Sequence, residues 1–297
     1  MNDENLALRS DWRASFEWIA EQLRLKRTRD LLSRLVIYEM TDGMRTSTAM
    51  TGAEAYVDGG LFVLRLIQHL AGLGSRAIYV NVIEQRHRQR ENYQDIYQGL
   101  ARLVPMYDDL ASRIPVRYRF VGQIDETLAP VRTDIHLWDD LRELQSKTRD
   151  REGLAAYFLI NYSLDWAYGQ PRLFAGLPAI NVIVRHAKLQ VPTGMQLPPA
   201  ISDLSSLVYA QQGSSSKNWT DFQLLCLIGI AARSAQVNEG TQYLKTYSRE
   251  ERDSIRTLRE EDAFMKSLKL VRNTLGPAGG RKRAIIASPF GPEVYEF

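Results

Sequence analysis

The residues most suited to chemistry follow a short apolar run near the amino terminus. Residues 35–38 predict a buried strand, and Asp42 and Gly43 end it. Backbone amides and hydroxyls between a strand and a helix can hold phosphate oxygens, and here they come from Met44, Arg45, Thr46, Ser47 and Thr48. A carboxylate beside a phosphate needs a cation between them, so this segment predicts Mg²⁺ held by Asp42. The alternative is that Asp42 only shapes a turn.

The composition is that of an ordinary globular protein. The chain has 297 residues, of which 44% are hydrophobic and 25% charged, enough for one sizeable core. We expect an N-terminal helical extension over 1–32, a main domain over 33–273 and a C-terminal tail over 274–297. Cys226 is the single cysteine, which excludes an internal disulfide and a cysteine-rich zinc site.

Charge and hydropathy limit the kinds of partner that we expect for this protein. The formal net charge is only +3, so no strong attraction to nucleic acid is expected. The sequence has no apolar run of about 18 residues and no signal-peptide pattern at its polar amino terminus. These features predict no membrane span and a cytoplasmic location.

Strand and helix patterns alternate along most of the chain. Such alternation predicts an α/β fold with a mostly parallel central sheet and helices on both of its faces. Turn residues such as Gly74, Pro115, Gly122 and Gly153 separate the elements, and the region 169–199 has no clear assignment. The patterns predict helices over 5–32, 53–72, 91–112, 134–149, 220–234 and 248–273, and strands over 77–82, 116–121, 154–160 and 204–210.

The helix predicted over 220–234 is apolar on most of its sides. Such a helix is buried either centrally or against a partner. Its six large apolar side chains cover more of the helix than one sheet face can bury, which favours a homodimer; they are Phe222, Leu224, Leu225, Leu227, Ile228 and Ile230.

The order of these pieces resembles the cis-prenyltransferases, of which undecaprenyl diphosphate synthase is the familiar member. The segment 116–122, VRYRFVG, is similar to the strand "I-x-V-R-x-I-G" of that family. Thr148, Gly153 and the pair Asn161 and Tyr162 follow at similar spacing. The resemblance covers about 31–234 and rests on the order and spacing of the pieces, since no single piece is specific.

The resemblance gives roles to residues of the first site. The family motif "D-G-N-G-R-W-A" matches Asp42 and Gly43, whereas Arg45 stands one place early for the family's arginine. In the family that aspartate assists Mg²⁺ and the departing diphosphate. The segment 56–60, YVDGG, lacks the histidine of the family's "G-H-K-A-G". In 79–89, YVNVIEQRHRQ, Glu84 and Arg88 match the family, and Arg86 replaces a tryptophan.

This sequence departs most from the family pattern at the last family motif. Two arginines and a serine of "I-R-T-S-G-E-x-R-x-S-N-F-L-L-W-Q" hold the diphosphate of isopentenyl diphosphate. Here Gln212 and Asn218 stand at the arginine positions, and Thr220 keeps a hydroxyl. Each charge-assisted hydrogen bond to a diphosphate contributes roughly 1.5–3 kcal/mol, so this exchange removes several kcal/mol of binding. The second site is therefore expected to take an uncharged acceptor, with Trp219 as a possible stacking face.

The resemblance thus implies a prenyltransferase. A short allylic group, dimethylallyl or geranyl, would pass from its diphosphate to a neutral aromatic molecule, as in family members that prenylate carbazole-type natural products. Two alternatives stay open. The first is a non-catalytic partner subunit of the same fold, although such a subunit has no reason to keep Asp42. The second is an enzyme that joins two short prenyl diphosphates, which fits the missing arginines poorly.

Overall fold

A computed structural model describes residues 12–41, 48–124, 136–186, 195–202, 205–209, 219–239, 253, 283–288 and 291–296. Its central element is a sheet of six parallel strands in the order β3-β4-β2-β1-β5-β6. The strands are β1 (Val36–Met40), β2 (Ala77–Glu84), β3 (Val116–Gly122), β4 (Leu154–Tyr162), β5 (Val182–Arg185) and β6 (Ser206–Tyr209).

The central strands are apolar along their whole length because both of their faces are covered. All five residues of β1 and all nine of β4 are buried. Such continuous burial is typical of parallel sheets. The predicted α/β architecture is therefore confirmed, with β1, β2, β3, β4 and β6 close to the predicted limits.

One face of the sheet is packed against long helices. The two longest are α3 (Gly52–Gly72) and α4 (Tyr93–Arg113), and each follows a strand as predicted. The other helices with side chains in this core are α1 (Trp12–Gln22), α2 (Thr28–Arg34), α5 (Leu137–Thr148) and α9 (Asp221–Glu239). The single helix predicted over 5–32 was wrong, since its described part is two helices. Arg24 and Arg27 have left-handed backbone angles, φ 52° and 48°, and these interrupt the helix.

The other face carries only short helices. These are α6 (Leu164–Tyr168), α7 (Pro171–Ala175) and α8 (Pro199–Ser202). Phe174 and Ile201 from them pack with Tyr38, Tyr79 and other strand residues in a second apolar cluster. The region 169–199, which has no sequence assignment, thus holds α7 and the strand β5.

Helix α9 is buried inside its own chain. Residues 223–235 are all buried, and α1 lies against them. A Cβ on Gly229 would stand 2.8 Å from Ile19 and 2.9 Å from Leu23, which shows how closely α1 approaches. The sequence left open whether this helix is buried centrally or against a partner. The structure shows that it is buried centrally. The homodimer itself stays a prediction, but the apolar surface that motivated it is already covered by α1.

The segment predicted as a tail contains regular structure. Strands β7 (Arg283–Ser288) and β8 (Gly291–Glu296) pair antiparallel. The predicted domain limits stay predictions, although α1 contributes Phe16 and Ile19 to the main core. Among the described residues, no helix is both long and apolar enough to cross a bilayer.

Candidate active site

The candidate site lies at the carboxyl ends of the central strands. Strand β1 pairs with β2 on one side and with β5 on the other. Thr41 follows β1 directly, and its hydroxyl donates a hydrogen bond to the Asn81 carbonyl of β2. The predicted phosphate turn begins at the next residue, but Asp42, Gly43, Met44, Arg45 and Thr46 lie outside the described residues, as do Gln212 and Asn218.

A narrow apolar cavity begins at Thr41. It has a volume of about 30 Å³ and lies between the sheet, α3 and α4. Gly60 of α3 lines it, and a Cβ there would stand 2.1 Å from Leu103 of α4. The glycine thus lets the two helices approach closely. The other lining residues are Tyr56, Val63, Val80, Val82, Ile96, Leu100 and Tyr107.

The end of β2 places the predicted arginines at the same edge of the sheet. A short 3₁₀ helix (Gln85–Gln89) carries Arg86 and Arg88. Arg86 forms an ion pair with the buried Glu84 carboxylate. Arg88 is exposed and makes no hydrogen bond or ion pair with the described residues. The two arginines are therefore not equivalent, and Arg88 is better placed to meet an incoming anion.

A buried acid–base pair lies on the β5 side of Thr41. The Glu39 carboxylate is 2.6 Å from Nε2 of His186, and neither side chain is more than 1% exposed. Because Met40 pairs with Arg185, His186 is one strand across from Thr41. The second oxygen of Glu39, Oε2, has no hydrogen-bond partner among the described residues. A carboxylate buried with one oxygen unmatched is expensive, and such groups often have a function.

The predicted acceptor residues Trp219 and Thr220 lie beside this pair. The Trp219 ring packs edge-on against His186 and Phe62, with centroids 5.8 Å and 5.5 Å apart. Thr220 forms a reciprocal cap with Gln223 at the start of α9. The Gln223 N–H donates to Thr220 Oγ1 at 3.2 Å, and the Thr220 N–H donates to Gln223 Oε1 at 2.8 Å. Both residues therefore have a structural role, whatever they bind.

This chain is similar to known proteins in structure but matches none in sequence. No protein-family model matches the sequence, and no curated protein matches it either. Among solved structures, lavandulyl diphosphate synthase from Lavandula x intermedia, in complex with dimethylallyl diphosphate, has a TM-score of 0.55 at 10% identity. The alignment covers 69% of this chain and 96% of that one. A probable undecaprenyl diphosphate synthase from Campylobacter jejuni has a TM-score of 0.50 at 12% identity, with 67% and 95% covered.

The chain therefore has the cis-prenyltransferase fold. At these identities the likeness concerns the fold alone, and it matches the resemblance found in the sequence. The described residues of this cis-prenyltransferase fold hold no group of three or more His, Cys, Asp or Glu side chains placed to bind a metal. Asp42 lies outside those residues, so a magnesium site that uses it stays a prediction.

A second polar network joins α3 to the start of α9. Asp221 accepts hydrogen bonds from Arg65 at 2.7 Å and from His69 at 3.2 Å. Arg65 also donates to the Trp219 carbonyl at 2.6 Å. Burial acts to raise the pKa of Asp221, but the hydrogen bonds from Arg65 and His69 outweigh it and the net shift is downward. This network fixes the segment that carries Trp219 and Thr220.

Glu39, His186 and this network were not among the site residues predicted from the sequence. One signal was present, because Glu39 directly follows the predicted buried strand 35–38, and a glutamate at the end of a buried strand can itself be buried. A second was the pattern T-x-x-Q at Thr220, which is typical of a helix start. His186 follows the short strand β5, which the sequence did not predict.

Proposed function

We propose that the protein transfers a short allylic prenyl group from its diphosphate to a neutral aromatic molecule. The observation that carries this proposal is the apolar cavity that begins at Thr41, next to the predicted phosphate turn. An apolar cavity beside a phosphate turn suits a prenyl diphosphate. Its volume of about 30 Å³ is far too small for a long chain, and even a dimethylallyl group would enter only if α3 and α4 moved apart.

In this proposal the diphosphate of the donor lies at the carboxyl end of β1. The amides and hydroxyls of Gly43, Met44 and Thr46, with the guanidinium groups of Arg45 and Arg88, would hold its oxygens. Asp42 would hold Mg²⁺, which neutralises charge on the departing diphosphate. Arg86 would act less directly, since Glu84 already pairs with it.

The acceptor would lie on the β5 side of Thr41. A second diphosphate there would stand near Glu39, which is buried and has no cation among its described partners. Charge repulsion in a site of low polarity would oppose such an acceptor. A neutral ring avoids that cost, and Gln212, Asn218 and Thr220 would offer it hydrogen bonds. Trp219 would shape the wall of the pocket.

The pair of Glu39 and His186 would supply the base. When Nε2–H of His186 donates to Glu39, the lone pair of the neutral ring is on Nδ1. The allylic C–O bond breaks and diphosphate leaves with the electron pair. A ring carbon of the acceptor then attacks the allylic carbon, and its proton passes to His186. Deep burial excludes water, which would otherwise capture the allylic cation.

A second candidate is the joining of two short prenyl diphosphates. The similar fold of lavandulyl diphosphate synthase with bound dimethylallyl diphosphate favours it. Arg185 would then be the cation nearest to the acceptor, since it ends β5 beside Met40. Its guanidinium, however, contacts the sulfurs of Met40 and Met195 on the face with the short helices. That is the face opposite to the cavity, so this candidate ranks second.

A homodimer is also part of the proposal. The edge strand β6 is the described surface best suited to it, since Leu207 is exposed there. Light scattering should give about twice the 33.9 kDa of one chain. A mass near 33.9 kDa at micromolar concentration would contradict the dimer and leave the proposed reaction standing.

The decisive experiment is an assay with Mg²⁺, dimethylallyl or geranyl diphosphate and a panel of phenols and indoles, with products identified by mass spectrometry. We expect a prenylated aromatic product and no elongation of isopentenyl diphosphate. Asp42→Ala should lower turnover by more than tenfold, whereas Asp139→Ala, on the exposed side of α5, should not. Elongation of isopentenyl diphosphate by the wild-type protein would overturn the neutral acceptor. Absence of any turnover of either allylic diphosphate would point to the partner-subunit alternative.

Leucine variants test the cavity. Leu103 and Leu110 are both buried in α4, but only Leu103 lines the cavity. Replacing either with alanine should cost about 2–5 kcal/mol of stability. Only Leu103→Ala should shift the preference from dimethylallyl toward geranyl diphosphate. An equal shift in both variants would show that the cavity does not hold the prenyl group.

A further inference from the structure

Two arginines lie on the sheet face opposite to the cavity. Along β3, Val116, Tyr118 and Phe120 pack against the long helices, so the alternate residues Arg117 and Arg119 lie on the other face. Arg119 is next to Tyr157 of β4, and Arg117 is next to Ala155. Both arginine side chains are half-buried. Helix α5 covers the free edge of β3, where the Tyr118 N–H donates to Thr148 and the Phe120 N–H to Gln145, so ligands would reach the arginines through the exposed part of each side chain.

A third arginine and a phenol complete the cluster. Arg76 precedes β2, and its carbonyl accepts a hydrogen bond from the Ala155 N–H at 3.1 Å. Burial raises the pKa of the Tyr157 phenol, and the positive charges of Arg117, Arg119 and Arg76 oppose that rise. The phenol therefore stays protonated at neutral pH and can donate a hydrogen bond to an anion. Its ring is held in place by stacking on Tyr79, with centroids 4.7 Å apart.

These arginines differ from those on the helices. Four helical arginines each form an ion pair with a carboxylate: Arg34 with Asp30, Arg102 with Glu54, Arg113 with Asp109, and Arg142 with Asp139. In the part of the chain that the structure describes, no carboxylate pairs with Arg76, Arg117 or Arg119. Arg119 donates a hydrogen bond to the Arg149 carbonyl at 3.3 Å.

Arg117 and Arg119 beside the phenol, with Arg76 at the start of β2, carry positive charge without a carboxylate among the described residues, and a bound anion would reduce the repulsion between them. We propose that Arg76, Arg117, Arg119 and the Tyr157 hydroxyl form a binding site for a phosphate group. Guanidinium groups bind phosphate oxygens in pairs, and the phenol supplies one further donor. The phosphate would belong either to a free phosphorylated molecule or to the headgroup of an anionic lipid.

This site is independent of the proposed prenyl transfer. Arg117, Arg119 and Tyr157 lie on the opposite face of the sheet, and Arg76 and Arg117 are at the amino-terminal ends of β2 and β3. The cavity, by contrast, is lined by Thr41 at the carboxyl end of β1. Failure of one proposal therefore leaves the other untouched, and prenyl transfer should be unchanged when the arginines are replaced.

The test compares two double variants that each remove two positive charges. Arg117→Gln with Arg119→Gln changes the proposed site, and Arg113→Gln with Arg142→Gln is the control on exposed helices. Binding of inorganic phosphate is measured by calorimetry at constant ionic strength. Binding to phosphatidylcholine vesicles, with and without phosphatidic acid, is measured by sedimentation. We expect at least a tenfold loss of affinity in the site variant and less than a twofold loss in the control.

The outcomes separate the two sources of phosphate. Binding of inorganic phosphate without vesicle binding supports a free phosphorylated molecule, and binding only to vesicles with phosphatidic acid supports a lipid headgroup. Equal losses in the two double variants would show a general effect of charge and overturn the site. A wild-type protein that binds neither ligand overturns it too. If the double variant does not fold, Arg76→Gln and Tyr157→Phe give the same test, since Arg76 is exposed and Tyr157→Phe removes one hydroxyl.

Discussion

Two contacts between a histidine and a carboxylate lie on the same face of the sheet, and they are built differently. Asp221 binds His69 and also a cation, Arg65, and a quarter of its side chain is exposed. Glu39 binds His186 in full burial, and its second oxygen has no partner among the described residues. In the first contact the charge of Asp221 is matched by Arg65, although Nδ1 of His69 has no hydrogen-bond partner among the described residues, and this contact ties α3 to α9. The second is costly, which suggests that it is kept for function.

The largest expected effect concerns the unmatched pair. His186→Gln should lower prenyl transfer by about 100-fold or more, the range for loss of a general base, with little change in melting temperature. Release of diphosphate should persist, because ionisation of the donor precedes proton loss. The exposed His136→Gln is the matched control. Transfer within tenfold of wild type in His186→Gln would remove His186 as the base and leave the prenyl transfer intact.

Glu39→Gln tests whether the negative charge of Glu39 supports His186 as the base. The amide is similar in size and can still accept the hydrogen bond from Nε2–H, so the orientation of His186 is kept. The negative charge that stabilises a protonated histidine is lost, so transfer should fall by about tenfold. The free energy of unfolding should change by less than about 1 kcal/mol, since a buried unmatched charge is removed. A loss of several kcal/mol in urea unfolding would show instead that the pair mainly stabilises the fold.

The matched network should give the opposite result. Asp221→Ala leaves Arg65 and His69 without their carboxylate and should lower the free energy of unfolding by about 2–3 kcal/mol. The KM for the acceptor should rise, because the network fixes the segment with Trp219 and Thr220, but turnover per folded molecule at saturating acceptor should fall far less than in His186→Gln. The control is Asp139→Ala, whose ion pair with Arg142 is exposed and should contribute less than about 1 kcal/mol. Urea unfolding followed by circular dichroism measures both.

Thr220 separates a structural role from a role in binding. Its hydroxyl caps α9, so Thr220→Ala should cost about 1 kcal/mol, whereas Thr220→Ser should keep the cap. If Thr220 also binds the acceptor, Thr220→Ala should raise the KM for the acceptor without changing that for the prenyl donor. An unchanged KM for the acceptor would show that Thr220 caps α9 and does not bind the acceptor.

The two contacts also show which features of the structure can be predicted from sequence patterns and which cannot. Strands β1, β2 and β4 were predictable because burial on both faces requires continuous apolar runs. Strand β5 was missed because it has only four residues and lies in a region rich in Pro and Gly. The contact between Glu39 and His186 joins residues 147 positions apart, so no local pattern contains it.

The candidate site was predictable only where it follows a strand directly. The Asp-Gly turn after β1 and Arg88 after β2 are local features, so the sequence could place them at one edge of a parallel sheet. The cavity was not predictable, because it depends on how closely α3 approaches α4 at Gly60 and Leu103. The burial of α9 likewise depends on α1, which is more than 190 residues earlier in the chain.

The smallest expected effect is a pH dependence that belongs to the matched network. Burial lowers the pKa of His69, and the hydrogen bond from its ring to Asp221 opposes this only in part. The unfolded chain therefore takes up a proton more readily than the folded protein. Stability from this group is fully present above the ordinary histidine pKa of 6.5 and falls as the pH falls below it. Asp221, whose pKa is also lowered, adds a loss in the same direction in more acidic solution.

His69→Gln should remove the first part of this dependence and keep the second. Urea unfolding at several pH values below neutrality, at constant ionic strength, measures both parts in the wild type and the variant. The edge contact between Trp12 and the ring of His69 would be lost as well, so the comparison uses the slope of stability against pH and not its absolute value. An unchanged slope in His69→Gln would show that another group titrates there. The contrast between a matched network and an unmatched pair would then rest on the variants of Asp221 and Glu39 alone.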